Sequence, residues 1–385
     1  MTFHPARPLA ELFATRTSIK WRRFPMDVLP MFVAEMDFDI EEAILERVHS
    51  VLAYSDTGYL EAPGELADAF ADFALSEWKW RVETKWIHLA TDVTVGIVET
   101  LRLALPPSQG RVVITSPVYP PFFEMIDEVN ARCIDVPLAE AEEWSLDLPR
   151  IAAEFAHGVD AMILCNPHNP TGRCHSRESL EELAKLAAQW NVLVISDEVH
   201  APLAHPGAAF TPFARVAVEA GARAITVTSA SKGWNLAGLK CALIVAATAE
   251  SAQLLKNLPD ELAARTSILG LHANTAAFSC LQWRDAAIQQ IVSNIDLLTD
   301  GLSQLAPEVH VVRPTAGYLA WLDFRDTTLG EDPALVLREK GRIALNSGRT
   351  FGNTGAGFAR INLACDPSTV REGTERIART VSSGT

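Results

Sequence analysis

Residues 192–200 read VLVISDEVH, four apolar residues and a serine followed by an acid. Val192–Ser196 carries no polar face, so as a strand it would be covered on both sides. Asp197 falls where that strand ends. The same pattern recurs at Arg111–Thr115, Arg132–Val136, Ala161–Cys165, Ala224–Thr228 and Ala242–Ala246. Amphipathic stretches lie between them, such as Ser176–Trp190, with Leu180, Leu183, Ala184 and Ala187 at helical spacing. The alternation predicts an α/β core built on a parallel sheet between helices. Past residue 280 the pattern changes to a long helix over 283–305, strands at His310–Val312 and Tyr318–Asp323, a helix over Pro333–Lys340 and a last helix from Ser368. We expect a large domain over 45–280 and a smaller α+β domain made of 1–44 and 281–385.

The chain has 385 residues, 48% hydrophobic and 21% charged, which excludes a disordered chain. No apolar stretch approaches the ~20 residues of a membrane helix. The N-terminal residues lack the apolar run of a secretion signal, so a soluble, cytoplasmic protein is expected. Lys and Arg number 33 against 48 acids, a net charge of −15, which argues against nucleic acid as a partner. The six cysteines are scattered, without the spacing of a disulfide scaffold or of a zinc site, so no metal is expected.

In open α/β sheets, ligands bind beyond the carboxyl ends of the strands. Three segments end apolar runs: NPHNPTG (166–172), SDEVH (196–200) and SASKGWNLAGLK (229–240). Asp197, at a buried strand end, needs a cation or a strong donor, and a cationic ring nitrogen would serve. A helix cap or a structural ion pair would serve equally. Lys232 becomes a nucleophile able to form an imine if burial or a neighbouring cation disfavours its ammonium. Most loop lysines are solvated charges, but this one follows an apolar strand beside Ser229 and Ser231, with Lys240 eight residues on. Hydroxyls and a second cation suit an anion such as phosphate. Asn169 lies in a turn-forming loop, where its amide could donate to a phenolate-like oxygen. Asp92–Leu105 reads as a helix whose first amides, from Val93 and Thr94, could hold phosphate. Tyr119 is a packed aromatic or a platform for a planar ring. Arg360 alternates with apolar residues, and an inward guanidinium would grip a carboxylate, whereas an outward one makes a surface salt bridge.

Together these segments resemble the fold-type I pyridoxal 5′-phosphate (PLP) enzymes of the class I/II aminotransferase superfamily. The motifs run in that family's order: the Tyr119 segment, NPTG, Asp, then S-x-S-K. The spacing matches too, with 28 residues from Asn169 to Asp197 and 35 more to Lys232. Within the superfamily the chain looks most like the MalY/PatB-type cystathionine β-lyases. The stretches carrying that likeness are Lys20-Trp21, DVLPMFVAEMDF (27–38), SPVYPPFF (116–123), SDEVH and GFARINLAC (357–365). The resemblance implies a mainly parallel seven-stranded sheet with a smaller domain beside it. It implies that Lys232 bears PLP covalently, Asp197 pairs with the ring nitrogen, Asn169 bonds the phenolic oxygen and Tyr119 stacks on the ring. Ser229, Lys240 and the amides of Val93 and Thr94 would hold the phosphate, and Tyr59 would reach it from the partner subunit of a homodimer. Arg360 would bind the carboxylate of a small amino-acid substrate, with Ala34 and Tyr119 beside it. His200 stands where aminotransferases carry a tyrosine. Two positions depart from the family: Lys240 replaces an arginine, and Asp92 replaces a glycine. We expect Asp92 to cap its helix and turn away from the phosphate.

These residues would let Lys232 take the proton from Cα, after which a thiolate on Cβ leaves. The expected reaction is β-elimination from cystathionine or another cysteine S-conjugate, giving a thiol, pyruvate and ammonia. Transamination of an amino acid uses the same lysine, and a specialised lyase for a bulky conjugate is a close variant. The chain also meets the S-x-x-K pattern of serine-nucleophile enzymes at 229–232, but it has Ser196-Asp197-Glu198 in place of S-D-N and no K-T-G. Gly352, Gly355 and Gly357 do not have dinucleotide-binding spacing. A non-catalytic role as a partner for a regulatory protein leaves the intact lysine and aspartate without a purpose.

Overall fold

A computed structural model of the chain describes residues 3, 6–106 and 109–383. The extreme ends of the expected small-domain segments, including most of the first five residues read for a secretion signal, therefore lie outside the described residues. Strands β1 (Ile87–Ala90), β2 (Arg111–Ile114), β3 (Arg132–Asp135), β4 (Ala161–Cys165), β5 (Leu193–Asp197), β6 (Ala224–Thr228) and β7 (Ala242–Ala246) form one sheet. Their order is β1-β7-β6-β5-β4-β2-β3. β7 runs against both its neighbours, and every other pairing is parallel. β4 to β7 are buried at every position, as continuous apolar runs require.

The expected β5 shifts by one residue. Helix α2 (Arg177–Trp190) ends on Asn191 in the left-handed region, and the Val192 N–H closes it by donating to the Ala187 carbonyl at 2.9 Å. Val192 thus belongs to the helix stop, and Asp197 becomes the last strand residue, level with Cys165 and Val227. Helix α1 (Val93–Ala104) and α2 each start one residue later than read, because Asp92 and Ser176 are their N-caps. β1 was not anticipated: its four residues include His88, which blurs the apolar run.

The C-terminal part holds α3 (Leu281–Leu305), a second sheet and α4 (Pro367–Ser382). That sheet consists of β8 (His310–Val312), β9 (Leu319–Asp323), β10 (Asn346–Ser347) and β11 (Phe358–Asn362), in the order β10-β11-β9-β8 and antiparallel throughout. Leu29–Pro30 pairs in parallel with Ile343–Ala344 and ties the N-terminal segment to this part. One apolar cluster runs from Phe38 and Phe70 through Trp234 to Tyr318 and Ile361, so the two parts share a core. Gly172 closes the NPTG turn at φ +66, where a Cβ would stand 2.2 Å from the Pro314 Cβ. Glycine therefore lets this loop close onto the segment that leads into β9. Among the described residues no helix is long and apolar enough to cross a membrane, and no group of three or more His, Cys, Asp or Glu could hold a metal ion.

Candidate active site

The carboxyl ends of β4, β5 and β6 open into one cavity of about 360 Å³. Every residue singled out from the sequence lines it except Tyr59, which is 93% exposed and not part of the lining. Asp197 forms part of its lining. Burial pushes the Asp197 carboxyl up to about 6, against the opposing pull of the Val199 N–H, which donates to Oδ1 at 3.1 Å, and of Lys232. Among the described residues no cation forms an ion pair with this carboxylate.

Lys232 is lowered to about 8, first by burial and then by Arg360. Its Nζ donates to the Ala34 carbonyl at 3.0 Å, an oxygen that also accepts from the Tyr318 hydroxyl at 3.0 Å. Arg360 is 4% exposed and points inward from β11. Nη1 donates to Asn169 Oδ1 at 2.9 Å and Nη2 to the Phe32 carbonyl at 3.1 Å, while Nε has no partner. Among the described residues no carboxylate pairs with it, and burial brings the guanidinium down to about 10. A buried guanidinium without an acid is costly even with the Phe351 ring 5.1 Å away, and an arriving anion would offset that cost. Because Arg360 takes the Asn169 oxygen, the Asn169 amide nitrogen is left to face a ligand oxygen. His200 is buried near the Tyr318 ring, at 6.1 Å between centroids, and burial pushes it down to about 3, so its imidazole is neutral.

The anion-binding end differs from expectation in two ways. Asp92 does cap α1, its Oδ1 accepting from the Val95 N–H at 2.9 Å. It does not turn away: Oδ2 accepts from Lys240 Nζ at 2.8 Å, since a lysine at the cavity rim gives the carboxylate a better partner than water alone. The two departures from the family pattern therefore pair with each other. The Ser229 hydroxyl is also committed, donating to the Cys241 carbonyl at 2.7 Å and approaching Asn274 Oδ1 at 3.2 Å. Ser231, which also lines the cavity, has no side-chain partner among the described residues. As the first two residues of α1, Val93 and Thr94 have N–H groups with no intrahelical acceptor.

The cavity lining also includes Arg23, Phe32, Val33 and Asn346, none of which the sequence reading picked out as site residues. The available signal was that Phe32 and Val33 lie within the quoted stretch 27–38 and that Arg23 follows the Lys20-Trp21 pair. Asn235, in the left-handed region at φ +59, clasps both the N–H and the carbonyl of Met36 at 2.9 Å and fixes this segment to the Lys232 loop.

The sequence profile of aminotransferase class I and II matches residues 35–377. The chain belongs to that family. Its family relatives include the cystathionine beta-lyase of Corynebacterium glutamicum, 35% identical over 96% of this chain and 98% of that protein. The cystathionine beta-lyase PatB of Bacillus subtilis is 32% identical over 95% and 97%. Among solved structures, cystalysin from Treponema denticola, which contains a pyridoxal 5′-phosphate cofactor, superposes with a TM-score of 0.91 at 25% identity, covering 99% of each chain. The family fold is the seven-stranded arrangement described above, and the likeness spans both sheets.

Proposed function

We propose that this chain is a PLP-dependent carbon–sulfur β-lyase that cleaves cystathionine or a related cysteine S-conjugate. What carries the reading is the facing pair of a buried, acid-free Arg360 and a Lys232 whose ammonium is weakened to about 8, in one cavity with the uncompensated Asp197. Relatives named cystathionine beta-lyase along nearly the whole chain support the carbon–sulfur bond as the one broken. The residues present fit the cofactor. Among the described residues Asp197 forms no ion pair, the first N–H groups of α1 have no intrahelical acceptor, and the Ser231 hydroxyl makes no side-chain hydrogen bond. When bound, PLP supplies an electron sink for the pair left at Cα.

The chain's own groups do the rest. Asp197 would hold a proton on the ring nitrogen, and Asn169, oriented by Arg360, would donate to the phenolic oxygen. Tyr119 would pack on the ring, while Val93, Thr94, Ser231 and Lys240 would hold the phosphate. Arg360 grips the substrate carboxylate in a bidentate fork. Lys232 would hold the cofactor through its amine and, as a free amine, would take the Cα proton. The Ala34 carbonyl accepts from the free amine at 3.0 Å. A homodimer belongs to this reading: the exposed Tyr59 would reach the partner's phosphate end. Six unpaired cysteines support a reducing, cytoplasmic setting.

The deciding experiment supplies purified holoenzyme with L-cystathionine and no keto acid. Pyruvate and a thiol in equal amounts are expected. Turnover only once a keto acid is added would replace this reading with transamination.

Two further results follow from the site. Capture of PLP by the apoenzyme needs a neutral Lys232 amine, so its rate should rise with pH and level off above about 8. Stopped-flow absorbance at a series of pH values reads this, and a rise continuing to pH 10 would contradict it. Asp92→Asn keeps a capping oxygen but removes the charge beside the phosphate and frees Lys240. PLP affinity, titrated on the apoenzyme, should tighten by roughly fivefold, the scale of an exposed ion pair.

A further inference from the structure

Six charged side chains line the cavity: Arg23, Asp92, Asp197, Lys232, Lys240 and Arg360. Four are cations, in a chain whose net charge is −15. The proposed reaction accounts for five of them. Lys240 is paired with Asp92 at the phosphate end, Asp197 faces the ring nitrogen, Lys232 carries the cofactor and Arg360 takes the α-carboxylate. Arg23 is left without a role.

The Arg23 guanidinium makes no hydrogen bond or ion pair among the described residues, and only its backbone N–H is bonded, to the Ile19 carbonyl at 3.2 Å. Its guanidinium lies 5.9 Å from the centroid of the Phe32 ring. That ring meets Phe24 edge-on at 5.1 Å, and Arg338 lies over Phe24 at 5.5 Å. The nearby acid of the same segment, Glu35, is occupied: its Oε1 accepts from Ser18 Oγ at 2.9 Å and from Trp21 Nε1 at 3.2 Å. Arg23 is also well anchored through its backbone. It closes the helical turn Ile19–Arg22, in which Lys20 is buried against Asp37 and Trp21 against Phe13. Arg23 is exposed, and a fixed turn and the Phe32 ring place it at the cavity rim.

Phe32 also sets the relation between the two arginines. Its carbonyl accepts from Arg360 at 3.1 Å, and its ring supports Arg23. Both guanidinium groups therefore contact one residue and line one cavity, the inner one buried and the outer one exposed at the rim. Each is a partner suited to a carboxylate.

We propose that Arg23 binds an anionic terminus on the sulfur-borne arm of the substrate, so that the preferred substrates are cysteine thioethers whose leaving thiol carries a carboxylate. This rests on the lyase reading and deepens it. The reaction consumes one water and balances without an oxidant or reductant. The Cβ–S bond breaks, sulfur keeps the electron pair and gains a proton, and the three-carbon fragment is hydrolysed to pyruvate and ammonium.

The test uses two conjugates of equal carbon-chain length, S-(3-carboxypropyl)-L-cysteine and S-butyl-L-cysteine, with the holoenzyme and its Arg23→Gln and Arg23→Glu variants. The expected kcat/KM ratio, carboxylate over alkyl, is roughly fivefold in the parent, the scale of a rim ion pair. It should fall towards one in Arg23→Gln and below one in Arg23→Glu. A parent ratio of one, or a ratio unchanged in Arg23→Gln even if both substrates slow together, would overturn the proposal. Failure of the lyase reading is visible separately, as absence of pyruvate from both conjugates. In that case the same ratios are read as dissociation constants of 2-aminooctanedioate and 2-aminooctanoate, which contain no sulfur, from the cofactor's absorbance change. Equal constants for the two in the parent would overturn the role of Arg23 on their own.

Discussion

Lys232→Ala is expected to lower pyruvate release from cystathionine by roughly 10³-fold or more, the scale of removing a positioned proton-transfer group. One amine serves two tasks here, attachment of the cofactor and removal of the Cα proton, and no neighbour can replace it. His200 is buried and pushed down to about 3, and Tyr119 is raised by burial, so neither matches Lys232 at about 8 as a base near neutral pH. Folding should survive, because the Lys232 ammonium makes one hydrogen bond, to Ala34, and Tyr318 still donates to that carbonyl. The variant should still take up PLP, but borohydride should no longer fix the cofactor to the chain. A small primary amine added in solution should restore part of the turnover. Activity within tenfold of the parent would remove Lys232 from the role of base.

The second large effect concerns stability. Lys20 and Asp37, each 2% exposed, form an ion pair deep under the segment that lines the cavity, and Lys20 also donates to the Glu35 carbonyl at 3.1 Å. Burial raises the Asp37 pKa, outweighing the pull of Lys20. Lys20→Ala leaves that carboxylate alone in the core and should cost about 3–5 kcal/mol. The urea midpoint should fall accordingly. Replacing both partners with apolar residues, Lys20→Met with Asp37→Leu, should recover most of the loss, since no charge is then stranded. The pH dependence has a definite sign. A carboxyl whose folded pKa is raised favours the folded state at low pH and loses that advantage as pH rises through the folded pKa. The penalty of Lys20→Ala should therefore shrink as the solution is acidified. A penalty independent of pH would mean that lost packing, and not the stranded charge, dominates.

Much of this architecture was readable because the central strands are covered on both faces. Ala161–Cys165, Ala224–Thr228 and Ala242–Ala246 appear with the boundaries their apolar runs set. Elements at the margins carried weaker signals. Ile87–Ala90 includes a histidine, and Leu29–Pro30 is two residues that become a strand only by pairing with Ile343–Ala344. At the site, residue types and order pointed to Lys232, Asp197, Asn169 and Arg360, all of which line one cavity. Hydrogen-bond direction was not readable. Whether Ser229 or Ser231 keeps a free hydroxyl depends on Cys241 and Asn274, 12 and 45 residues from Ser229. The Asp92–Lys240 bond spans 148 residues, and nothing local to either side chain announces it.

Arg360 and Asn362 lie two positions apart on β11, so their side chains leave the same face of the strand. Arg360 reaches the Phe32 carbonyl, and the Asn362 amide reaches the carbonyls of Val33 and Glu35 at 2.6 and 2.7 Å. The clamp for the amino acid's acid group and the strap across the opening are thus a single mechanical part. Loosening the strap to admit bulkier thiols would also shift the clamp. A redesign for larger leaving groups should trim the Phe32 and Val33 side chains and leave their backbone untouched.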